Sequence, residues 1–556
     1  MTSLQYTKDN EAHKQEVQSK AKAKVITWGV VWLLLLCTIG PAGGPFTFLV
    51  ILVGGCILAA KNGGIIAAAF TANAVRDKVQ ATTHGSADWA GLWDMLEMGA
   101  FKPKGAKAQE FALASCKPSS WPDEEPFTAL DRRVRVGGHV VTVAPTGTGK
   151  GVACVIPTLL EYDGSAIVID VKGENAAVTA RARGAAGPEI YTIDPFGVTG
   201  QPKATYNPLA VVDVTNPDCV ATSAAIADAL VMVNPEAQGA DHFDETARKL
   251  LQGLILYVCA LYPENLRTLA EVRRALTLTP NLFKGMIEHM ASDESIAYSI
   301  PARVGALVLS VGDRELGSIL STAQRHTEFL DDPRICEALG DSEHAADLRL
   351  VKQVRMTVYI VLPAHVIRQN ARFMRLFVGG TMQALTATQG APETNVALIL
   401  DEFAQLGYLK AIEDNVSLLR SYGVNFWLFL QDMSQLQKTY PRWQTFLANS
   451  TKQFFGTSDL DTAKYISESL GQFTQDVVSS GQSHSQNGPG PNHGSESSST
   501  NQSSMARHLL TPDEVMRLDV NKAIVLIKHK RPILASKVNY LHDPEYAGKA
   551  DPNPFH

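Results

Sequence analysis

The spacing of apolar positions divides the chain into contrasting stretches. Val25–Ala60 contains no Asp, Glu, Lys or Arg. Further on, short apolar runs alternate with amphipathic stretches. Val140–Ala144 leads into a glycine-containing loop and then a helical pattern, "VACVIPTLLEY". "GSAIVIDVKGE" (164–174) and "EIYTIDPFG" (189–197) are further strand-like runs. Strand, helix, strand at this spacing predicts a parallel α/β fold. From 213 to 346 the period becomes helical: "CVATSAAIADALVMV", "FDETARKLLQGLILYVCALY", "TLAEVRRALTL", "NLFKGMIEHMA" and "ELGSILSTAQRHTEFL" are all amphipathic. "RMTVYIVLP" (355–363), "VALILDEF" (396–403) and "VNFWLFLQD" (424–432) then return to strand pattern. The α/β domain is therefore expected in two parts, 71–212 and 347–556, split by an all-helical insertion at 213–346. Residues 479–504 are rich in Ser, Gly and Asn with almost no apolar side chains, which predicts a disordered loop. "LLTPDEVMRL" predicts a capped helix, and "AIVLIKHKRPILASKVNYL" two short strands.

A helix over the whole charge-free stretch would be about 54 Å long, too long for one crossing of a roughly 30 Å hydrocarbon layer. "GPAGGP" (40–45) interrupts it. The pattern predicts two spans, 24–40 and 46–61, in a transmembrane hairpin at 24–70, preceded by an arm at 1–23. Lys8, Lys14, Lys20, Lys22 and Lys24 precede the hairpin, and Lys61, Arg76 and Lys78 follow its second span. The positive-inside rule places both ends in the cytoplasm.

At 556 residues the chain is too long for one ordinary core. A net charge of −6 excludes a global basic field, so contact with DNA must use local patches or a pore lining. The seven cysteines (Cys37, Cys56, Cys116, Cys154, Cys219, Cys259, Cys336) form no C-x-x-C, which argues against a zinc site or a disulfide framework.

The chemistry concentrates in "APTGTGKG" (144–151). The usual phosphate-binding loop reads G-x-x-x-x-G-K-[ST]. Ala144 replaces its first glycine, and Gly151 the Ser or Thr that contacts magnesium. The strand before and the helix after are the required setting. Thr146, Gly147, Thr148, Gly149, Lys150 and Gly151 are the nucleotide-binding candidates, with Lys150 aimed at the β/γ-phosphates. Two strands end in an acid that could hold Mg²⁺, at Asp170 and at Asp401. Asp401 is favoured because Glu402 follows it, and a metal carboxylate beside a water-polarising one suits ATP hydrolysis. Asp170 lines a neighbouring edge of the site or simply ends its strand. Gln431 ends the next apolar strand, where an amide could sense the γ-phosphate or orient water. Arg420, on the expected helix "AIEDNVSLLRSYG", is either a solvated helix residue or an arginine finger reaching a neighbouring subunit. The basic clusters "RRVR" (132–135) and "KHKR" (528–531) read as solvated surface, and Trp89, Trp93 and Trp121 as packing residues.

"HGSADWA" (84–90), "APTGTGKG", "VIDVKGE" (168–174), "IDPFG" (193–197), "YNPL" (206–209), "LILDEFAQLGYL" (398–409), "LLRSYGV" (418–424), "FLQDMSQL" (429–436) and "LLTPDEVMRL" (509–518) follow one another in the order seen in type IV secretion coupling proteins of the TraG type. The chain resembles that family over nearly its whole length. The resemblance implies an inner-membrane RecA/FtsK-like P-loop ATPase that uses ATP and Mg²⁺. It implies a homo-hexameric ring that hands relaxase-bound single-stranded DNA, or effector proteins, to the channel components of a type IV secretion system. By matching motif, Lys150 contacts the nucleotide, Asp401 and Glu402 are the Walker B pair, Gln431 is the third motif and Arg420 acts in trans. The family tolerates Gly at position 151, which leaves one magnesium ligand unassigned. The segment between the two spans is only a turn, where many relatives have a sizeable periplasmic portion. Competing expectations are a docking receptor for effectors or toxins with little turnover, and a septal DNA pump of the FtsK type. The acid pair 401–402 speaks against the first, and the helical insertion with "HGSADWA" against the second.

Overall fold

The computed structural model describes residues 84–101, 109–116, 131–232, 241–387, 392–486 and 494–555. All belong to one compact unit, Gln80–Pro118 with Asp131–His556. The arm at 1–23, the hairpin at 24–70 and Trp121 lie outside the described residues.

An eleven-stranded sheet organises the chain. Its strands are β1 (Phe111–Ser115), β2 (Arg133–Val136), β3 (His139–Val143), β4 (Ala166–Asp170), β5 (Glu189–Ile193), β6 (Met356–Val361), β7 (Val396–Leu400), β8 (Val424–Leu430), β9 (Ser450–Phe454), and, after a separate ribbon of β10 (Gln472–Gln486) and β11 (Gly494–His508), β12 (Lys522–Leu526) and β13 (Ile533–Ser536). The spatial order is β2-β1-β13-β12-β9-β3-β8-β7-β4-β6-β5. From β9 to β5 every neighbouring pair is parallel. From β2 to β9 every pair is antiparallel. Every residue of β3, β4, β6, β7 and β8 is buried. That is why their sequences read as continuous apolar runs: a parallel sheet is covered on both faces.

β5 and β6 lie side by side, yet 162 residues separate Ile193 from Met356. The helices Cys219–Leu230, Asp241–Leu261, Leu269–Leu276, Pro280–Ser292, Ile300–Ser310 and Asp313–Thr327 occupy this interval. Their apolar faces share one continuous core with the sheet. Ile300–Ser310, "IPARVGALVLS", has no clear polar stripe and was not legible as a separate helix. The helix expected around Arg420 stops at Asn415, and Arg420 sits instead in a 3₁₀ turn, Leu419–Tyr422, closed by Gly423 at φ 74°.

Three expectations change. In the region expected to be a disordered loop, β10 and β11 pair from Gln472↔His508 to Gln486↔Gly494. Low hydrophobicity does not forbid a ribbon, because its backbone groups satisfy one another across the pair. Its root is anchored by "HGSADWA": Ala87 N–H donates to Gln472 O at 2.9 Å and Thr474 N–H to Gly85 O at 3.2 Å. Gly85 has φ 144°, and a Cβ there would lie 2.2 Å from Gln472 O, so only glycine fits. Second, Arg133 and Arg135 of "RRVR" are buried rather than solvated. Arg133 pairs with Asp131 at 2.7 Å and with Glu161 and Glu545; Arg135 pairs with Asp131 at 2.6 Å and with Glu161.

Third, the multi-pass inner-membrane placement is corrected. Among the described residues no helix is long and apolar enough to cross a membrane. The longest, Asp241–Leu261, has 21 residues but carries Asp244, Glu245, Arg248 and Lys249 in its first half.

Candidate nucleotide site

The parallel register brings the carboxyl ends of four strands to one edge. Val143 of β3 pairs with Leu430 of β8, Leu400 of β7 with Leu428 of β8, and Ile169 of β4 with Leu400. The segments leaving these strands meet in the crevice where α/β proteins bind ligands.

The loop 144–151 leaves β3, and Ala144 N–H donates to Leu430 O at 2.8 Å. Gly147 and Gly149 have φ of 80° and 79°. Nothing lies within 4 Å of a Cβ added at either, so it is the left-handed backbone that requires glycine there. Such a turn points successive N–H groups to one side, an arrangement suited to anions. Thr148 Oγ1 donates back to Pro145 O at 2.6 Å, which commits its hydroxyl proton to the loop. Gly151 then opens a π-wound turn, Gly151–Val155, that continues into the α-helix Ile156–Glu161.

Opposite stand the acids. Lys150 Nζ lies 3.0 Å from Asp401 Oδ1 and 2.5 Å from Glu402 Oε1. Gln431 Nε2 donates to Glu402 Oε2 at 2.9 Å, and Gln431 N–H donates to Gln435 Oε1 at 3.0 Å. Glu402 has φ 54° and ψ 45°, left-handed geometry that a side chain adopts at a cost of order 1–3 kcal/mol. Burial pushes the Lys150 ammonium down, but Asp401 and Glu402 outweigh it and hold the lysine protonated above its ordinary range. Burial raises Asp401, with Lys150 pulling the other way.

Asp170 is 1% exposed and accepts Ala176 N–H at 2.9 Å. Burial, followed by the nearby Asp401 and Glu174, lifts its carboxyl to about 7. It braces the turn after β4. Among the described residues no group of three His, Cys, Asp or Glu side chains could hold a metal alone. A nucleotide-bound Mg²⁺ does not require one, since phosphates and water supply most of its ligands.

The fold thus gathers Thr146, Gly147, Thr148, Gly149, Lys150, Gly151, Asp401, Glu402 and Gln431 at one edge. Arg420 is not among them. It is exposed, and its guanidinium lies 3.8 Å from the position of a Cβ on Gly138, at the opposite end of β3. Three residues at the site were missed in the sequence. Lys537 Nζ donates to Thr148 O at 3.0 Å and stands over the Phe455 ring at 3.8 Å. Glu174 flanks Gly151, and Asn553 Nδ2 donates to Glu174 Oε1 at 2.7 Å. "VIDVKGE" contained Glu174 as a signal. Lys537 and Asn553 come from the far end of the chain, and no local pattern marks them.

The family described as "Type IV secretory system Conjugative DNA transfer" matches residues 88–555. Protein VirD4 of Rhizobium radiobacter is 28% identical over 494 residues, covering 83% of this chain. The chain spans 64% of the length of that VirD4. Conjugal transfer protein TraG of Escherichia coli is 26% identical over 537 residues, 88% of this chain and 81% of that protein. Plasmid coupling protein TrwB in complex with ADP and Mg²⁺ shares the fold at a TM-score of 0.53 and 16% identity, over 73% of this chain and 87% of that one. On the motif order, the parallel sheet and the match over residues 88–555, the chain belongs to the conjugative DNA transfer family of type IV secretion coupling proteins, the TraG/VirD4 type.

Proposed function

We propose that this site binds ATP with Mg²⁺ and hydrolyses it, and that the cycle serves the hand-over of relaxase-bound single-stranded DNA to a type IV secretion channel. The observation that carries the reading is the Lys150–Asp401–Glu402–Gln431 cluster facing a glycine-turned loop. Its donor set, oxygen ligands beside one ammonium, fits a magnesium nucleotide. The name of the related TrwB structure, solved with ADP and Mg²⁺, supports the same chemistry.

Lys150 exchanges its carboxylate partners for phosphate oxygens when nucleotide enters, and the loop N–H groups fix those oxygens. Asp401 would hold Mg²⁺, which supplies positive charge against the phosphate oxygens. Glu402 takes the proton of the attacking water as its oxygen bonds to the terminal phosphorus and the bond to the leaving oxygen breaks. Gln431 keeps Glu402 aimed through its 2.9 Å hydrogen bond. Arg420, away from its own loop, would complete the site of the next subunit in a homo-hexameric ring. The helical block at 213–346 would recognise substrate and meet the channel components.

The test is ATPase and nucleotide affinity measured with and without single-stranded DNA. Lys150→Ala is expected to abolish nucleotide binding. Glu402→Gln should retain binding and lose at least about 100-fold in turnover, the usual scale of a general-base contribution. Equal rates for wild type and both variants would sink the ATPase reading.

A further inference from the structure

The usual phosphate loop ends in a hydroxyl that contacts magnesium, and this chain has Gly151 there. Thr148 is a poor substitute, since its hydroxyl is turned back onto Pro145 O of its own loop at 2.6 Å. A Cβ built on Gly151 meets three nearest atoms, and all belong to one carboxyl group: Glu174 Oε2 at 3.4 Å, Cδ at 3.7 Å and Oε1 at 3.8 Å. A carboxylate therefore stands beside the very place from which the missing hydroxyl would project.

Its position is held from several sides. Glu174 is the first residue of the helix Glu174–Ala185, which follows β4 directly. Gly173 precedes it at φ 73°, where a Cβ would come within 2.8 Å of Thr199. Asn553 Nδ2 donates to Glu174 Oε1 at 2.7 Å and also to the Tyr540 hydroxyl at 2.7 Å. Asn553 is itself buried, and the backbone just before it is tied to the same helix by Asp551 N–H donating to Val178 O at 3.0 Å. One oxygen of the carboxylate is thus tethered to the C-terminal segment while the other faces the loop. The contacts at 3.4 Å and beyond are ordinary van der Waals distances, so a serine Cβ would fit at 151. Crowding therefore does not require glycine at 151; the carboxylate stands beside the space that a serine hydroxyl would enter.

We propose that Glu174 takes the role of the absent loop hydroxyl as the second protein oxygen, beside Asp401, on the nucleotide-bound Mg²⁺, with Asn553 as its positioning residue. The inference rests on the nucleotide-site reading above. Mg²⁺ prefers hard oxygen donors and commonly takes one or two carboxylates plus phosphate, so the exchange of hydroxyl for carboxylate suits the metal. Glycine and glutamate then form a matched pair: the first lacks the hydroxyl, and the second supplies the oxygen from another element.

The experiment is a Mn²⁺ titration of the full chain with ADP, read by electron paramagnetic resonance, alongside ADP binding without metal. Glu174→Gln should weaken Mn²⁺ binding to the ADP complex at least about tenfold, the lower end for an orienting metal-site partner, and leave metal-free ADP affinity unchanged. Adding Gly151→Ser to Glu174→Gln should recover most of the loss, because it restores the usual ligand. Asn553→Ala should lose less than Glu174→Gln. Wild-type Mn²⁺ affinity in Glu174→Gln, an equal fall in metal-free ADP binding, or no rescue by Gly151→Ser overturns the proposal. Lys150→Ala separates the two readings: unchanged ADP binding there removes the nucleotide site itself, whereas failure confined to Glu174 removes only this ligand.

Discussion

The two ends of β3, about 13 Å apart at 3.3 Å per residue, differ in almost every physical respect. The carboxyl end, after Val143, opens into left-handed glycines and a half-buried lysine paired by charge with a strained glutamate. The amino end carries Gly138 and a buried His139, with the exposed Arg420 beside them. Between them runs a strand with every residue buried. A side chain at one end cannot reach the other across that layer. On the proposed reading, Arg420 at the amino end would serve the carboxyl end of an adjacent copy of the chain.

The sharpest way to break this comparison is Arg420→Ala. If the amino end serves a neighbour's carboxyl end, turnover should fall about 1,000-fold while nucleotide affinity stays unchanged. Mixing Arg420→Ala with Lys150→Ala chains should restore part of the activity, since each supplies the end the other lacks. Lost affinity in Arg420→Ala would place the arginine in its own subunit's site instead.

The carboxyl end is also tied to the helical block, by Arg375. This buried guanidinium donates to the carbonyls of Leu406 at 3.0 Å and Tyr408 at 2.8 Å, just past the acid pair. It donates as well to Ala229 at 2.8 Å and Asp228 at 3.1 Å, at the end of the helix Cys219–Leu230. Burial lowers its pKa to about 10, so it stays charged at neutral pH. Arg375→Met would leave several buried carbonyls without a donor, a loss of about 3 kcal/mol or more. The denaturant midpoint should fall accordingly. A stability change under 1 kcal/mol would mean that the two regions are held by packing alone.

A smaller, pH-dependent effect belongs to the amino end. Burial first, with Arg420 adding to it, holds the His139 imidazole down at about 4, below the ordinary 6.5. The unfolded chain therefore binds the proton more readily than the folded one. This stability is fully present above pH 6.5 and is lost as pH falls toward 4, by about 3 kcal/mol in all. His139→Gln should flatten the dependence of the unfolding midpoint over that window and leave the midpoint at pH 8 little changed. An identical slope in wild type and variant would assign the effect to another group.

Legibility followed burial. β3, β4, β6, β7 and β8 were readable because both of their faces are covered, so each is a largely apolar run. Asp401, Glu402 and Gln431 could be picked out for that reason. β9, "STKQF", was not readable. Its Gln453 is wholly buried but polar, accepting from Thr142 Oγ1 at 2.7 Å and donating to Leu113 O at 2.7 Å. Thr142 in turn accepts from Trp427 Nε1 at 2.8 Å. A polar residue satisfied by partners hundreds of positions away carries no local signature. The same holds for Arg133 and Arg135, which look solvated until Glu161 and Glu545 are placed against them.

By itself the sequence determined the parallel part of the α/β sheet, the helical interval inside it, the glycine-containing loop and the acid pair. These rest on periodicity, on glycine's freedom and on motifs confined to about ten residues. Only the tertiary structure decided that Arg420 lies at the far end of β3, that Asp170 is a buried brace, and that a carboxylate flanks Gly151. Those are matters of which distant segments the strand order brings together. Strand order is settled by long-range register and packing, which no local stretch of side chains encodes.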